Sequence, residues 1–286
     1  MKTKNYRLRS LLFEIFKYTV TILGLLIMII PMYYMIISAL KDNATTFIYP
    51  PNLFPRLSLL DFRNFIYILE NTIFFRYLWN TLIVAFISVI MSAVFSSLLA
   101  YAFARLHIPG KKVIFAVIIS IMLVPGLALI VPQFELASMF KLTNKLSGVI
   151  LFYTAWTIPF STFLLKGYIE DNISKELDES IYVDGGSPFT VYRHIIIPMA
   201  SPSIAAVSIL NFLFPFEELG WSQAILKSDE IRTLPVAISM FFRAHSQTDW
   251  GYVFAMTTMA MIPVVIFYLL LQKYFVTGLS SGSIKG

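Results

Sequence analysis

The chain has no cysteine, which excludes disulfides, thiolate metal sites and thiol catalysis. It is also short of charge. Only 13% of its 286 residues are Asp, Glu, Lys or Arg, about half the roughly 25% of an average soluble domain. Its histidines, His107, His194 and His245, fall in expected loops without metal-ligand spacing, so no metal site is expected. No nucleophile motif is present, and no Gly-x-x-x-x-Gly-Lys loop that would cradle a nucleotide phosphate. A membrane enzyme lacks its catalytic constellation here, and the chain does not hydrolyse ATP by itself. What remains is apolar: 58% of the residues are hydrophobic and the mean hydropathy is +0.76. A soluble core does not hold that much apolar surface, whereas a bundle of membrane spans does.

A span needs about 20 apolar residues at about 1.5 Å of rise each. Six runs qualify: about Tyr18 to Leu40, Leu78 to Ala104, Val113 to Val131, Ser147 to Leu165, Pro202 to Trp221 and Tyr252 to Tyr274. The expected fold is an all-α integral membrane protein. It has an N-terminal segment (1–17), a six-span domain (18–276) and a short tail (277–286). Lys2, Lys4, Arg7, Arg9 and Lys17 crowd the N-terminus. Basic residues flanking the first span favour the cytoplasmic side, and an even number of spans returns the C-terminus to that side. The first run is too long for a signal-peptide core, and no small-residue cleavage site follows it.

In the second run, Ser92, Ser96, Ala100 and Ala104 recur every four positions. They share one helix face, and small side chains let helix backbones approach closely in lipid. On the outer side, the loop from Lys41 to Tyr77 carries Tyr49, Pro50, Pro51, Phe54, Pro55, Phe62, Phe65 and Tyr67, and the loop from Ser228 to Trp250 is polar. Either these rings pack at the membrane interface or the loops dock an external partner.

The polar segment at 170–198 lies between two runs on the inner side. Ser174 is suited to cap a helix, with Glu176 and Asp178 in the favourable first turn. Gly185 and Gly186 stop that helix, and Ser187-Pro188 reads as the start of another. Phe189, Tyr192, Arg193 and His194 follow, and Ile195 to Pro198 leads into the next span. The expectation is two short helices joined by a glycine turn. Glu170, Asp171, Glu176, Asp178, Glu179 and Asp184 outnumber Lys175 and Arg193 here. A helix lying on a membrane surface favours Lys and Arg instead, so a protein-docking knob fits better.

These residues resemble the cytoplasmic motif of the integral-membrane subunits of ABC importers: E-A-A, three residues, G, nine residues, I-x-L-P. Glu179, Ser180 and Ile181 occupy the first three positions, Gly185 the glycine, and Ile195 with Ile197-Pro198 the close. The spacing matches, while both alanines and the leucine are replaced. The Ala100-Tyr101-Ala102-Phe103-Ala104-Arg105 stretch, followed by Pro109-Gly110-Lys111, resembles the carbohydrate-uptake branch and its maltose-permease G-type subunits. The tail from Gly278 to Gly286 resembles it too. One departure is Phe214-Pro215-Phe216-Glu217-Glu218-Leu219, where the branch usually has an aromatic-Trp-Asn-Asp-Phe stretch.

The resemblance implies a multi-pass subunit of the bacterial plasma (inner) membrane that forms half of a sugar or oligosaccharide pathway. Its partners would be a second six-span permease, two cytoplasmic ATPase subunits and an extracytoplasmic solute-binding protein. ATP and Mg would be bound by the ATPases, and no cofactor by this chain. The coupling residues would be Glu179, Ile181, Asp184, Gly185, Phe189, Ile195 and Pro198. For substrate contact the candidates are Asn211, mid-span by count, and Glu217 and Glu218 near the outer edge. Asn211 equally suits a hydrogen bond between helices, and the two acids equally suit a solvated helix end. A permease for another solute, such as glycerol phosphate, stays open. An ion-coupled secondary transporter is a further alternative, although no internal repeat is visible and buried acids are scarce.

Overall fold

The computed structural model describes residues 2–41, 53, 60–242 and 249–280. The expectations for Tyr49, Pro50, Pro51, Phe54, Pro55, His245 and the tail from 281 onward lie outside the described residues. Within the described residues every regular element is helical.

Five helices are long and apolar enough to cross a membrane: Leu11–Ala39, Phe74–Arg105, Leu146–Asn172, Pro188–Glu217 and Trp250–Lys273. A sixth crossing exists if a bent pair, Lys111–Leu123 (opening with helix α4, Lys111–Ser120) and Gly126–Met139 (closing with helix α5, Ile130–Met139), is one span. The sequence predicts a continuous span there, but the two halves meet at 97°. The cause is Val124-Pro125. Proline disfavours helical geometry in the residue before it, and Val124 is extended at φ −85°, ψ 122°. Prolines inside other spans, Pro31, Pro159, Pro202, Pro215 and Pro263, leave their helices continuous. In a bundle, neighbouring groups re-satisfy the freed carbonyls.

Close contacts divide the chain into two units: Met1–Thr72 with Phe241–Met259, and Ile73–Met240 with Ala260–Gly286. In the first, helix α1 (Lys2–Ala39) is closed by α2 (Arg63–Asn71). The Asn64 amide donates to the Ala39 and Lys41 carbonyls at 2.9 and 2.7 Å, satisfying groups that a helix end leaves orphaned. Tyr67 stacks on Tyr252 with ring centroids 4.0 Å apart.

In the second unit, α3 (Phe74–Arg105) is the central helix and packs on α6 (Leu146–Asn172) and α9 (Ile197–Glu217). The small-residue ladder is the reason. Ser92, Ser96, Ala100 and Ala104 are all buried, as the four-residue spacing predicts. Part of the polar loop that follows Ser228 is fastened to the start of α3. Tyr77 donates to Asp229, Asn80 to the Glu230 and Arg232 carbonyls, and the Leu234 amide to Thr81, all within 3.0 Å.

Candidate functional site: the acidic knob and its attachment

The knob begins where α6 ends. Helix α7 (Lys175–Val183) starts at Ser174, whose hydroxyl accepts from the Glu176 amide at 3.3 Å. It ends in a Schellman turn, with the Gly186 amide bonded to the Ile181 carbonyl at 2.8 Å and the Gly185 amide to the Tyr182 carbonyl at 3.0 Å. The two glycines serve different needs. Gly185 has φ +78° and open space around it, so it supplies the left-handed conformation that residues with a Cβ rarely adopt. A Cβ on Gly186 would collide with the Ile181 side chain and backbone.

Next comes a capping box. Ser187 accepts from the Thr190 amide at 3.3 Å, and Thr190 accepts from the Ser187 amide at 3.2 Å. Helix α8 (Pro188–Val191) opens with proline at its first position. The sequence predicts a second short, separate helix here. Instead α8 runs through a π-turn, Tyr192–Ile196, directly into α9. The π-turn has a local cause. Pro198 lacks an N–H and its ring crowds the carbonyl four residues earlier, and widening the turn relieves this. The Ile197 amide reaches back five residues to Tyr192.

The knob's outer surface mixes acids with apolar side chains. Glu179 and Asp184 are exposed, and so are Val183 (86%) and Phe189 (62%), with Leu177 and Tyr182 beside them. Asp184 caps the C-terminal end of α7, where a negative charge opposes the helix dipole. Helix stability therefore does not account for it. Pro198 is exposed as well, whereas Ile195 is buried in the bundle and Ile181 packs against the same cluster. The predicted coupling residues thus split. Glu179, Asp184, Gly185, Phe189 and Pro198 lie at the surface, and Ile181 and Ile195 tie the knob down. Sequence reasoning missed Val183, whose signal was an apolar residue beside a glycine turn in an acid-rich segment.

The attachment to α3 is also polar, and no spacing along the chain announces its pairings. Ser97, Tyr101 and Arg105 follow one another every four residues along α3. Ser97 and Tyr192 share a hydrogen bond of 2.8 Å between their hydroxyls. Tyr101 donates to the Pro188 carbonyl at 2.9 Å. Arg105 pairs with Asp178 at 2.9 Å, the two side chains being 4% and 8% exposed. Burial pushes the Asp178 carboxyl above its ordinary value, and the Arg105 charge opposes that rise.

The three pathway candidates divide similarly. Asn211 is buried and donates to Ser92 and Ser161 at 3.0 Å each, so it joins α9 to α3 and α6. Glu218 accepts from the Trp221 and Ser222 amides at 2.7 and 3.2 Å and from the Tyr153 hydroxyl. It thereby holds the N-terminus of α10 (Gly220–Ile225). Glu217 is exposed at the last position of α9.

Comparison with known proteins matches this arrangement. A family model described as "Binding-protein-dependent transport system inner membrane component" matches residues 92–281. The melibiose/raffinose/stachyose import permease protein MelC of Bacillus subtilis (strain 168) is 32% identical over 90% of this chain and 91% of its own length. The trehalose/maltose transport system permease protein MalG of Thermococcus litoralis is 30% identical over 96% of this chain and 99% of its own length. Among solved structures, a bacterial ABC transporter involved in the import of the acidic polysaccharide alginate shares the fold. It has a TM-score of 0.77 and 22% identity, covering 92% of this chain and 96% of that one. A bundle of apolar helices carrying a capped acidic knob, matched over these lengths, places the chain in the family of inner-membrane components of binding-protein-dependent transport systems.

Proposed function

We propose that this chain forms half of the pathway by which a binding-protein-dependent ABC importer takes up a sugar or oligosaccharide, and that the knob couples it to a cytoplasmic ATPase. The family assigns it to the inner membrane as a transport component. The similar permeases named for melibiose, raffinose, stachyose, trehalose and maltose support a carbohydrate cargo. A second six-span permease would complete the pathway, two ATPase subunits would bind ATP and Mg, and an extracytoplasmic binding protein would select the solute. The basic cluster at Lys2, Lys4, Arg7, Arg9 and Lys17 supports cytoplasmic termini, which puts the knob on the ATPase side.

One observation carries the coupling role: exposed Glu179, Val183, Asp184 and Phe189 surround a rigid glycine turn whose inner face is locked to the bundle. The acids would accept hydrogen bonds or an ion pair from the ATPase, with Val183 and Phe189 as apolar anchors. Ile181 and Ile195 would fix the knob's base. Closure of the ATPase dimer would then push the knob as a lever, and packed helices would switch between inward- and outward-facing arrangements as rigid bodies. Asn211 would serve as a joint between helices and Glu218 as a helix brace, leaving Glu217 as the acid open to the pathway.

The test is purification from membranes with the companion subunits. The coupling reading expects a stable complex with a nucleotide-hydrolysing subunit whose ATP turnover rises when liganded binding protein is added. Uptake driven by an ion gradient through this chain alone would refute it.

A further inference from the structure

Three helix ends converge on one buried guanidinium. Arg105 is the last residue of α3, and its Nε lies 2.9 Å from the Asp178 carboxylate in α7. Its Nη2 donates to the Ile173 carbonyl and lies 3.5 Å from the Ile169 carbonyl, both at the end of α6. We propose that Arg105 is the positioning residue that makes α3, the end of α6 and the knob one moving body, so that a push on the knob reaches the centre of the bundle. The proposal rests on reading the knob as the ATPase contact.

Stability alone does not account for the pair. Around it Tyr101, Ala104, Ile169, Ile173, Tyr192 and the partly buried Ile181 already form an apolar cluster. Replacing a buried ion pair by apolar residues is often neutral or stabilising. The second Asp178 oxygen and the Arg105 Nε are both buried with no hydrogen-bond partner, so the 2.9 Å contact is an ion pair off hydrogen-bond geometry and not the strongest pairing. What the pair adds is direction. Apolar contact is non-directional and lets a short helix rotate or slide. A planar guanidinium with a rigid set of donors does not. Here one edge faces α7 as an ion pair while Nη2 satisfies the Ile173 carbonyl, which the end of α6 leaves orphaned. Ser97 and Tyr101 add two further rungs on the same face, to Tyr192 and to Pro188. Because α3 packs on both α6 and α9, a displacement delivered to Arg105 reaches both of those helices.

The test uses the assembled importer in proteoliposomes and reads uptake per ATP hydrolysed. The double variant Arg105→Gln/Asp178→Asn removes both charges together and so leaves no buried charge unpaired. It is expected to retain the ATPase subunits and to hydrolyse ATP in response to liganded binding protein. Uptake per ATP should fall about tenfold, within the range of coupling between distant sites. An unchanged ratio overturns the proposal, because a merely structural pair would alter the amount of complex and not the ratio. Should the double variant fail to accumulate, Arg105→Lys decides. It keeps the charge opposite Asp178 but not the fork to α6, so a lowered ratio supports the brace and a wild-type ratio overturns it. If the wild-type chain retains no ATPase subunit, the coupling role itself fails, and that outcome is separate from either variant's.

Discussion

The knob and the far end of α9 carry acids of the same kind in opposite circumstances. At the knob, Glu179 and Asp184 are open to water among exposed Val183 and Phe189. At the far end, Glu218 is taken up by its own chain, accepting from two amides of α10 and from Tyr153. The difference teaches how to weigh a carboxylate. One whose lone pairs are filled by its own fold is part of the scaffold. One left open beside apolar side chains, at a helix end where its charge is unfavourable, belongs to a surface made for something else.

The sharpest way to break this contrast is at the turn that presents the open acids. Gly185→Asp is expected to abolish ATP-driven uptake while the chain still inserts, because a side chain at φ +78° costs roughly 1–2 kcal/mol and adds charge beside the docking face. Uptake assayed alongside membrane abundance checks this, and full uptake would remove the knob from the mechanism. Next in size is Glu218→Ala. It strands two amides and leaves the Tyr153 phenol with Ser222 alone, so thermal unfolding in detergent should register about 3 kcal/mol of lost stability. A defect in uptake at unaltered stability would instead return Glu218 to the pathway.

On the knob, Phe189→Ala should weaken retention of the ATPase subunit by about 2 kcal/mol, the scale of an exposed aromatic anchor. The melting temperature of the isolated chain should stay unchanged. Titration of the detergent-solubilised complex would measure it. The smallest effect is expected of Asn211→Ala, at about 0.6 kcal/mol of stability, typical of a hydrogen bond between membrane helices. Its solute preference in competition uptake should be that of the wild type, and a changed preference would make Asn211 a pathway residue.

How far the sequence could be read depended on the range of the interaction. The caps and turn of the knob were legible because Ser174, Gly185, Gly186 and Ser187 act on groups two to five residues away. The face of α3 was legible because a four-residue spacing of small side chains has one geometric meaning. The break at Val124-Pro125 was ambiguous, since five other prolines interrupt nothing and only the surrounding bundle decides which carbonyls are re-satisfied. Arg105 with Asp178 and Glu218 with Tyr153 were not legible at all. Each pair joins different helices, and no spacing along the chain announces it. The merging of α8 into α9 was missed for a related reason. The effect of Pro198 on its preceding turn permits either a break or a widened turn, and buried Val191, Ile195 and Ile196 favour continuity.

That widened turn at Tyr192–Ile196 also fixes an angular phase. One extra residue in a turn advances every later side chain by about 100° relative to an unbroken α-helix. The azimuth at which Phe189 is presented is therefore offset from the azimuth at which α9 meets α3 and α6, by about one residue's worth of rotation. The chain keeps both orientations in a single helix without a hinge, so a one-residue insertion or deletion in this turn leaves α9 in register on α3 and α6 but swings α8 about the helix axis, pulling Tyr192 from Ser97 and Pro188 from Tyr101.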